Sequence, residues 1–177
     1  MEKINSMKIL DEIKKSDKKP KELNAFIAKL ILEKKPSADD FTEALSYGDD
    51  AERGTCIEAL EYATQTNAGI AKIYLSDVIK CLSDKSPRVK WEASRVIGNI
   101  AKALPKETEK ALDALFKNTT DKGTVVRWST AFALGEILKH NQTIRTTLLS
   151  KINAIVKKEE NNGVKNVYVK ALRVIGK

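Results

Sequence analysis

Two thirteen-residue stretches, "VKWEASRVIGNIA" at 89–101 and "VRWSTAFALGEIL" at 126–138, lie 37 positions apart and carry the same pattern. With Gly98 set on Gly135, Val89 falls on Val126, Lys90 on Arg127, Trp91 on Trp128, Ile97 on Leu134 and Ile100 on Ile137. A further step of 37 backwards aligns "ERGTCIEALEYA", with Arg53 on Lys90, Cys56 on Ala93 and Leu60 on Ile97. A step of 41 forwards adds "VYVKALRVIG", with Val167 on Val126 and Gly176 on Gly135. A chain that repeats itself at this period stacks like units, because no single unit can bury its apolar face alone.

Within each unit the apolar spacing is helical. Leu75, Val78, Ile79 and Leu82 share one stripe, as do Leu112, Leu115 and Phe116, and Leu148, Ile152, Ile155 and Val156. No sustained alternation of apolar and polar residues marks a strand. Pro20, Pro36, Pro87 and Pro105 punctuate the pattern near helix starts or linkers, where proline is tolerated. Ser86 is expected to cap a helix with Pro87 in its first turn, and "SADD" at 37–40 reads as a capping signal. The spacing predicts helices over 3–15, 21–33, 38–47, 50–65, 69–83, 87–103, 107–118, 124–139, 143–159 and 164–176. The fold class expected is therefore all-α: ten helices, or five antiparallel pairs.

The chain has 177 residues, 42% apolar and 32% charged, which suits one domain with a real core. It holds no apolar run of about 18 residues, and its N-terminus lacks the apolar segment of a secretory signal, so a cytoplasmic protein is expected. Cys56 and Cys81 have no ligand-spaced neighbours and read as reduced, partly buried thiols; no metal and no cofactor are expected. Net charge is +8, unevenly spread: +4 over residues 1–36, −7 over 37–69 and +11 over 70–177. A basic two-thirds beside an acidic patch points to acidic partners at one end.

"VRWSTAFALGEI" resembles the second helix of a HEAT-type repeat of the short bacterial and archaeal kind. That pattern places an aspartate before the helix, then Val-Arg, then small residues and Ala-Leu-Gly. Asp84 and Asp121 stand at the aspartate position, with Asn162 in the last repeat and Tyr47 in the first. Arg53, Lys90 and Arg127 stand at the basic position, then Tyr168. The resemblance implies a right-handed α-α superhelix in which Asp84, Asp121, Arg53, Lys90 and Arg127 link neighbouring repeats. It covers residues 38–177, divided as 38–66, 69–104, 107–140 and 143–177. Residues 1–36 match poorly and are expected to form a capping helix pair.

On the second helix of the strongest repeat, Val89, Ala93, Val96, Ile97, Ile100 and Leu104 share the core side. Trp91, Arg95, Gly98 and Lys102 fall opposite, and Trp128, Phe132, Gly135 and Lys139 repeat them one unit later. The resemblance implies that second helices line the concave surface. Trp91 and Trp128, continued by Val169, would form an aromatic strip rimmed by Arg95, Lys102, Lys139 and Arg173. The other reading of the tryptophans is packing, each covering Gly98 or Gly135. Glu92 and Glu136 project sideways, where pairing with neighbouring repeats is expected.

No Ser-centred elbow, phosphate-cradling loop or metal-ligand spacing is present, so no catalytic residue is assigned. His140, at a helix end, is expected to meet the terminal carbonyls. The reading is a non-enzymatic binding scaffold for a protein or acidic peptide. The alternative is nucleic-acid binding on the basic face, which in its enzymatic form would resemble HEAT-like DNA-alkylation-repair glycosylases. The sequence leaves the oligomeric state open.

Overall fold

The computed structural model describes residues 8–176. Among these no strand occurs, and eleven α-helical segments follow one another: α1 (Ile9–Lys15), α2 (Pro20–Leu32), α3 (Ala38–Tyr47), α4 (Asp50–Thr66), α5 (Leu75–Cys81), α6 (Pro87–Ile100), α7 (Pro105–Thr108), α8 (Leu112–Asn118), α9 (Thr124–His140), α10 (Arg145–Lys158) and α11 (Asn162–Ile175). Residues 3–7 of the first expected helix lie outside the described residues, and Lys8 is extended ahead of α1.

Two expected first helices are less regular than their apolar stripes imply. The stretch expected as one helix over 69–83 opens as a 3₁₀ helix, Ala68–Tyr74, before α5. Gly69, Ile70 and Ile73 weaken helix propensity there, and the Asn67 side chain accepts the Gly69 N–H at 3.1 Å, tightening the entry. The stretch expected over 107–118 starts at Pro105 and passes through a 3₁₀ turn, Glu109–Ala111, between α7 and α8.

Caps explain several of the boundaries. Ser37 Oγ accepts the Asp40 N–H at 3.1 Å while Asp40 Oδ2 accepts the Ser37 N–H at 2.9 Å. Asp49 and Glu52 repeat this reciprocal box at the start of α4, both bonds at 2.8 Å. Ser86 precedes Pro87 at the start of α6, but its hydroxyl makes no capping bond there. Helix α2 ends in a Schellman turn: Lys35 N–H reaches Leu30 O at 3.1 Å and Lys34 N–H reaches Ile31 O at 2.9 Å. Lys34 sits at φ 56°, a left-handed conformation that ordinarily favours glycine.

The helices form two layers. Second helices α2, α4, α6, α9 and α11 lie side by side, each packed along the next. The other helices form a first layer that packs onto them. One continuous core runs between the layers, with Phe41, Ile57, Leu60, Leu82, Val89, Ile97, Ile100, Leu115, Leu134 and Ile152 essentially inaccessible. Leu104, placed with the core by its spacing, is only partly buried. Phe41 and Tyr74 meet at 4.5 Å between ring centroids, and Tyr74 O–H donates to Pro36 O at 2.9 Å. The two thiols are free and buried; burial pushes Cys56 well up and Cys81 up to about 12, so neither is a ready nucleophile.

Candidate partner-binding face

The side of the second-helix row that faces away from the first layer is set by small residues at the joints between helices. A Cβ on Gly54 would lie 2.9 Å from Arg88 Cδ, so α4 accepts the Arg88 stem from α6. A Cβ on Gly98 would overlap the Phe132 ring, so α9 plugs the α6–α9 joint with an aromatic. A Cβ on Gly135 would lie 2.9 Å from Ala171 Cβ; only a methyl meets it at the α9–α11 joint. The α9–α11 joint is therefore left open. A cleft of about 270 Å³ lies there, lined by Trp128, Phe132, Glu136 and Lys139 of α9 and by Val167, Lys170 and Val174 of α11, over Ala131, Gly135 and Ala171.

The two tryptophans do not form an equal strip. Trp128 is 43% exposed and stacks on Phe132, with 6.4 Å between ring centroids and 14° between planes. Trp91 is half-buried, and its Nε1–H donates to Glu92 Oε1 at 2.7 Å.

The expected basic rim is partly neutralised. Arg95 donates to Glu92 at 3.1 Å on its own helix and reaches Glu61 at 2.9 Å on α4. Lys139 pairs with Glu136, one turn earlier on α9. Glu92 and Glu136 thus pair within their own helices. Glu61 instead bridges two repeats, and it also accepts the Asn99 side-chain N–H at 3.1 Å; Glu58 bridges the same pair of helices through Arg88. Burial raises the Glu92 pKa against the pull of Trp91 and Arg95, and Glu58 and Glu61 add to the rise. Lys102, Lys170 and Arg173 are exposed and have no ion-pair partner among the described residues. His140 meets no terminal carbonyl: its Nε2 lies 3.5 Å from Glu136, and Arg145 caps α9 instead, donating to Leu138 O at 3.1 Å and Lys139 O at 2.7 Å.

Behind this face runs a ladder of charge pairs. Arg53 grips Asp84 with Nε at 3.1 Å and Nη2 at 2.9 Å, Lys90 pairs with Asp121, and Arg127 Nε donates to Glu159 at 3.0 Å. Each acid also accepts the backbone N–H two residues on: Ser86 at 2.7 Å, Gly123 at 2.8 Å and Asn161 at 2.8 Å. Each acid therefore closes its own loop and receives the cation of the preceding repeat. The hydrogen bond to Asp84, helped by Asp50, holds the Arg53 guanidinium above its ordinary pKa against the cost of burial. Burial pushes Asp121 up, but Lys90 and the Gly123 N–H outweigh it, and its pKa is lowered.

The ladder corrects the register of the last repeat. The acid there is Glu159, not Asn162, and the basic position is Lys165, not Tyr168, which is buried. Asn161 caps α11, 38 residues after Gly123 at the start of α9. With a step of 38, Asn166 rather than Val169 continues the tryptophan row. Lys170 falls on Phe132, and Arg173 rather than Gly176 falls on Gly135. Arg173 does not line the cleft; Lys170 takes that place. A step of 38 read from the sequence would have found Lys170 and Val174 as cleft residues.

A two-layer stack, a matched acid–base ladder and small residues at the joints define a helical repeat solenoid. The family model for HEAT repeats matches residues 38–135, and the chain belongs to that family. No curated protein matches it. Several similar solved structures are designed molecules. An engineered protein aligns at a TM-score of 0.71 and 19% identity, covering 97% of this chain and 80% of the other. A designed armadillo repeat protein in complex with the peptide (KR)4 gives a TM-score of 0.67 at 19% identity, covering 93% and 79%. Computationally designed armadillo repeat proteins for modular peptide recognition give 0.69 at 19%, covering 93% and 79%. At such identities the likeness is one of fold, the right-handed all-α solenoid of about five helix pairs. Among the described residues no helix is long and apolar enough to cross a membrane, and no group of three or more potential ligands could hold a metal ion.

Proposed function

We propose that the protein is a non-enzymatic binding scaffold whose second-helix face is the concave one. On this reading the α9–α11 cleft takes a large apolar side chain from a protein or peptide. The observation that carries it is the open joint at Gly135. The equivalent joint at Gly98 is filled from within by Phe132, whereas Lys170 replaces that ring at the next joint and leaves apolar walls uncovered. Exposed apolar surface beside an exposed tryptophan is where a partner's anchor gains most.

The choice of face follows the resemblance to HEAT repeats, in which second helices line the concave surface.

The cleft rim favours an acidic flank on the partner, since Lys170 has no ion-pair partner among the described residues and Lys139 shares its charge with one carboxylate. Nucleic acid is less favoured than by total charge. Phosphate binding needs a row of free cations, and Arg95 and Lys139 are held by Glu61, Glu92 and Glu136. The recognition of peptides by the designed armadillo proteins agrees with a peptide-sized ligand.

The test is a titration of Trp91→Phe protein, in which Trp128 alone reports, with a glutamate-flanked leucine peptide and with a mixed-sequence oligonucleotide at two salt concentrations. The peptide should shift Trp128 emission, and Lys170→Phe, which plugs the cleft, should abolish the shift. Oligonucleotide quenching that fades with salt, with no response to peptide, would overturn this reading in favour of nucleic acid.

A further inference from the structure

The ladder points to a second docking surface, at the C-terminal end of the stack. Its cations run Arg53, Lys90, Arg127 and, in the step of 38, Lys165. The first three each meet an acid in the loop before the following second helix; Lys165 has no ion-pair partner among the described residues. The neighbouring positions are equally unfinished. Ala131 and Gly135 are buried at the α9–α11 joint, whereas their counterparts on α11, Val169 and Arg173, are half-exposed and exposed.

The residue that follows Gly98 and Gly135 in this row is thus an arginine. A long charged residue at this place is not foreign to the fold. Glu61 occupies it on α4, and the next second helix answers with Arg95 at 2.9 Å and Asn99 at 3.1 Å. On α11 the sign is reversed. A helix laid beside α11 in the same geometry would need a carboxylate in the loop before its first turn, for Lys165. It would need another eleven residues later, where Asp84 and Arg95 stand in the α5–α6 unit, for Arg173. Between them Val169 offers apolar contact.

We propose that the outer face of α11 docks an acidic amphipathic helix of another protein, which continues the ladder as the next second helix would. A second copy of this chain fits poorly. Another α11 would set Lys165 and Arg173 against like charges, and the opposite end, residues 1–36, carries net +4. The segment containing the face, residues 143–177, carries net +6, so long-range steering also selects an acidic partner. This surface rests on the ladder register and not on the α9–α11 cleft.

A suitable probe is a fluorescein-labelled peptide of residues 119–140 carrying Phe132→Glu and held helical by a lactam bridge. Its Asp121 and residue 132 place carboxylates eleven apart. Anisotropy with the full chain should show saturable binding, weakened about tenfold or more in Lys165→Glu/Arg173→Glu protein. A peptide carrying Asp121→Lys and Phe132→Lys should bind that variant and not the parent, while Lys170→Phe, which fills only the cleft, should leave binding unchanged. Absence of binding, or equal binding to parent and charge-reversed protein, would overturn the proposal. Sedimentation showing self-association lost in the charge-reversed variant would also overturn it, assigning the face to a second copy.

Discussion

Phe132 of α9 lies over Gly98 of α6, its ring where a side chain on Gly98 would go. The glycine is required by this approach, not by its backbone, which is ordinary helix. Gly98→Ala should therefore destabilise the protein by about 1–3 kcal/mol, the range for overpacking a closed joint. Urea denaturation of Gly98→Ala, Phe132→Leu and the double variant tests this. The double variant should be less destabilised than the two single effects summed.

The ladder predicts unequal tolerance of conservative changes. Arg53 contacts both Asp84 oxygens through a planar fork, so Arg53→Lys should cost about 1–2 kcal/mol despite keeping the charge. A double-mutant cycle between Arg53→Ala and Asp84→Ala should return a clear coupling energy. A cycle value near zero would reduce the ladder to surface decoration.

Acid sensitivity follows from Asp121. Its folded pKa lies below the ordinary value of 3.8, so its contribution to stability is present above that value. It is lost as pH falls from about 3.8 through the lower folded value. Asp121→Asn should lower stability at neutral pH and flatten this limb of the pH–stability curve. Thermal melts of parent and variant between pH 2 and 7 would show it.

Lys34 is held at φ 56° by the Schellman turn that ends α2. Lys34→Gly should raise stability by about 0.5–1 kcal/mol, because the strain of a left-handed side-chain-bearing residue exceeds the added freedom of glycine in the unfolded chain. A fall in the urea midpoint would show that the lysine stem contributes more than its backbone costs.

Leu134 is fully buried in the core between the layers. Leu134→Ala should cost about 2–5 kcal/mol in chemical denaturation. A near-neutral result would mean that α9 repacks freely around the void.

The repeat was legible because buried positions such as Val89, Ala93, Ile97 and Ile100 recur with glycine at fixed spacing. The same matching misplaced the last repeat. Its glycine drew Gly176 onto Gly135, while the feature that fixes the register is an acid two residues before a cap, and there it is Glu159 rather than aspartate. The 3₁₀ entry to α5 was hidden by an apolar stripe that continues through it. The loss of Arg95 and Lys139 from the free rim could have been read directly, since Glu92 and Glu136 precede them by three residues, a spacing that places side chains together on a helix. The filled joint at Gly98 and the open joint at Gly135 depend on contacts between neighbouring second helices, Gly98 with Phe132 and Gly135 with Ala171. Neither shows in any local pattern.

Whether the α9–α11 cleft receives a partner's apolar side chain is decided by methyl and indole NMR shifts of the full chain titrated with the glutamate-flanked leucine peptide. Saturable shifts are expected at the Trp128 indole N–H and at the methyls of Val167, Ala171 and Val174, absent in Lys170→Phe. Shifts confined to the first layer, at Leu75 and Ile79, or shifts that persist in the plugged variant, would contradict binding in the cleft.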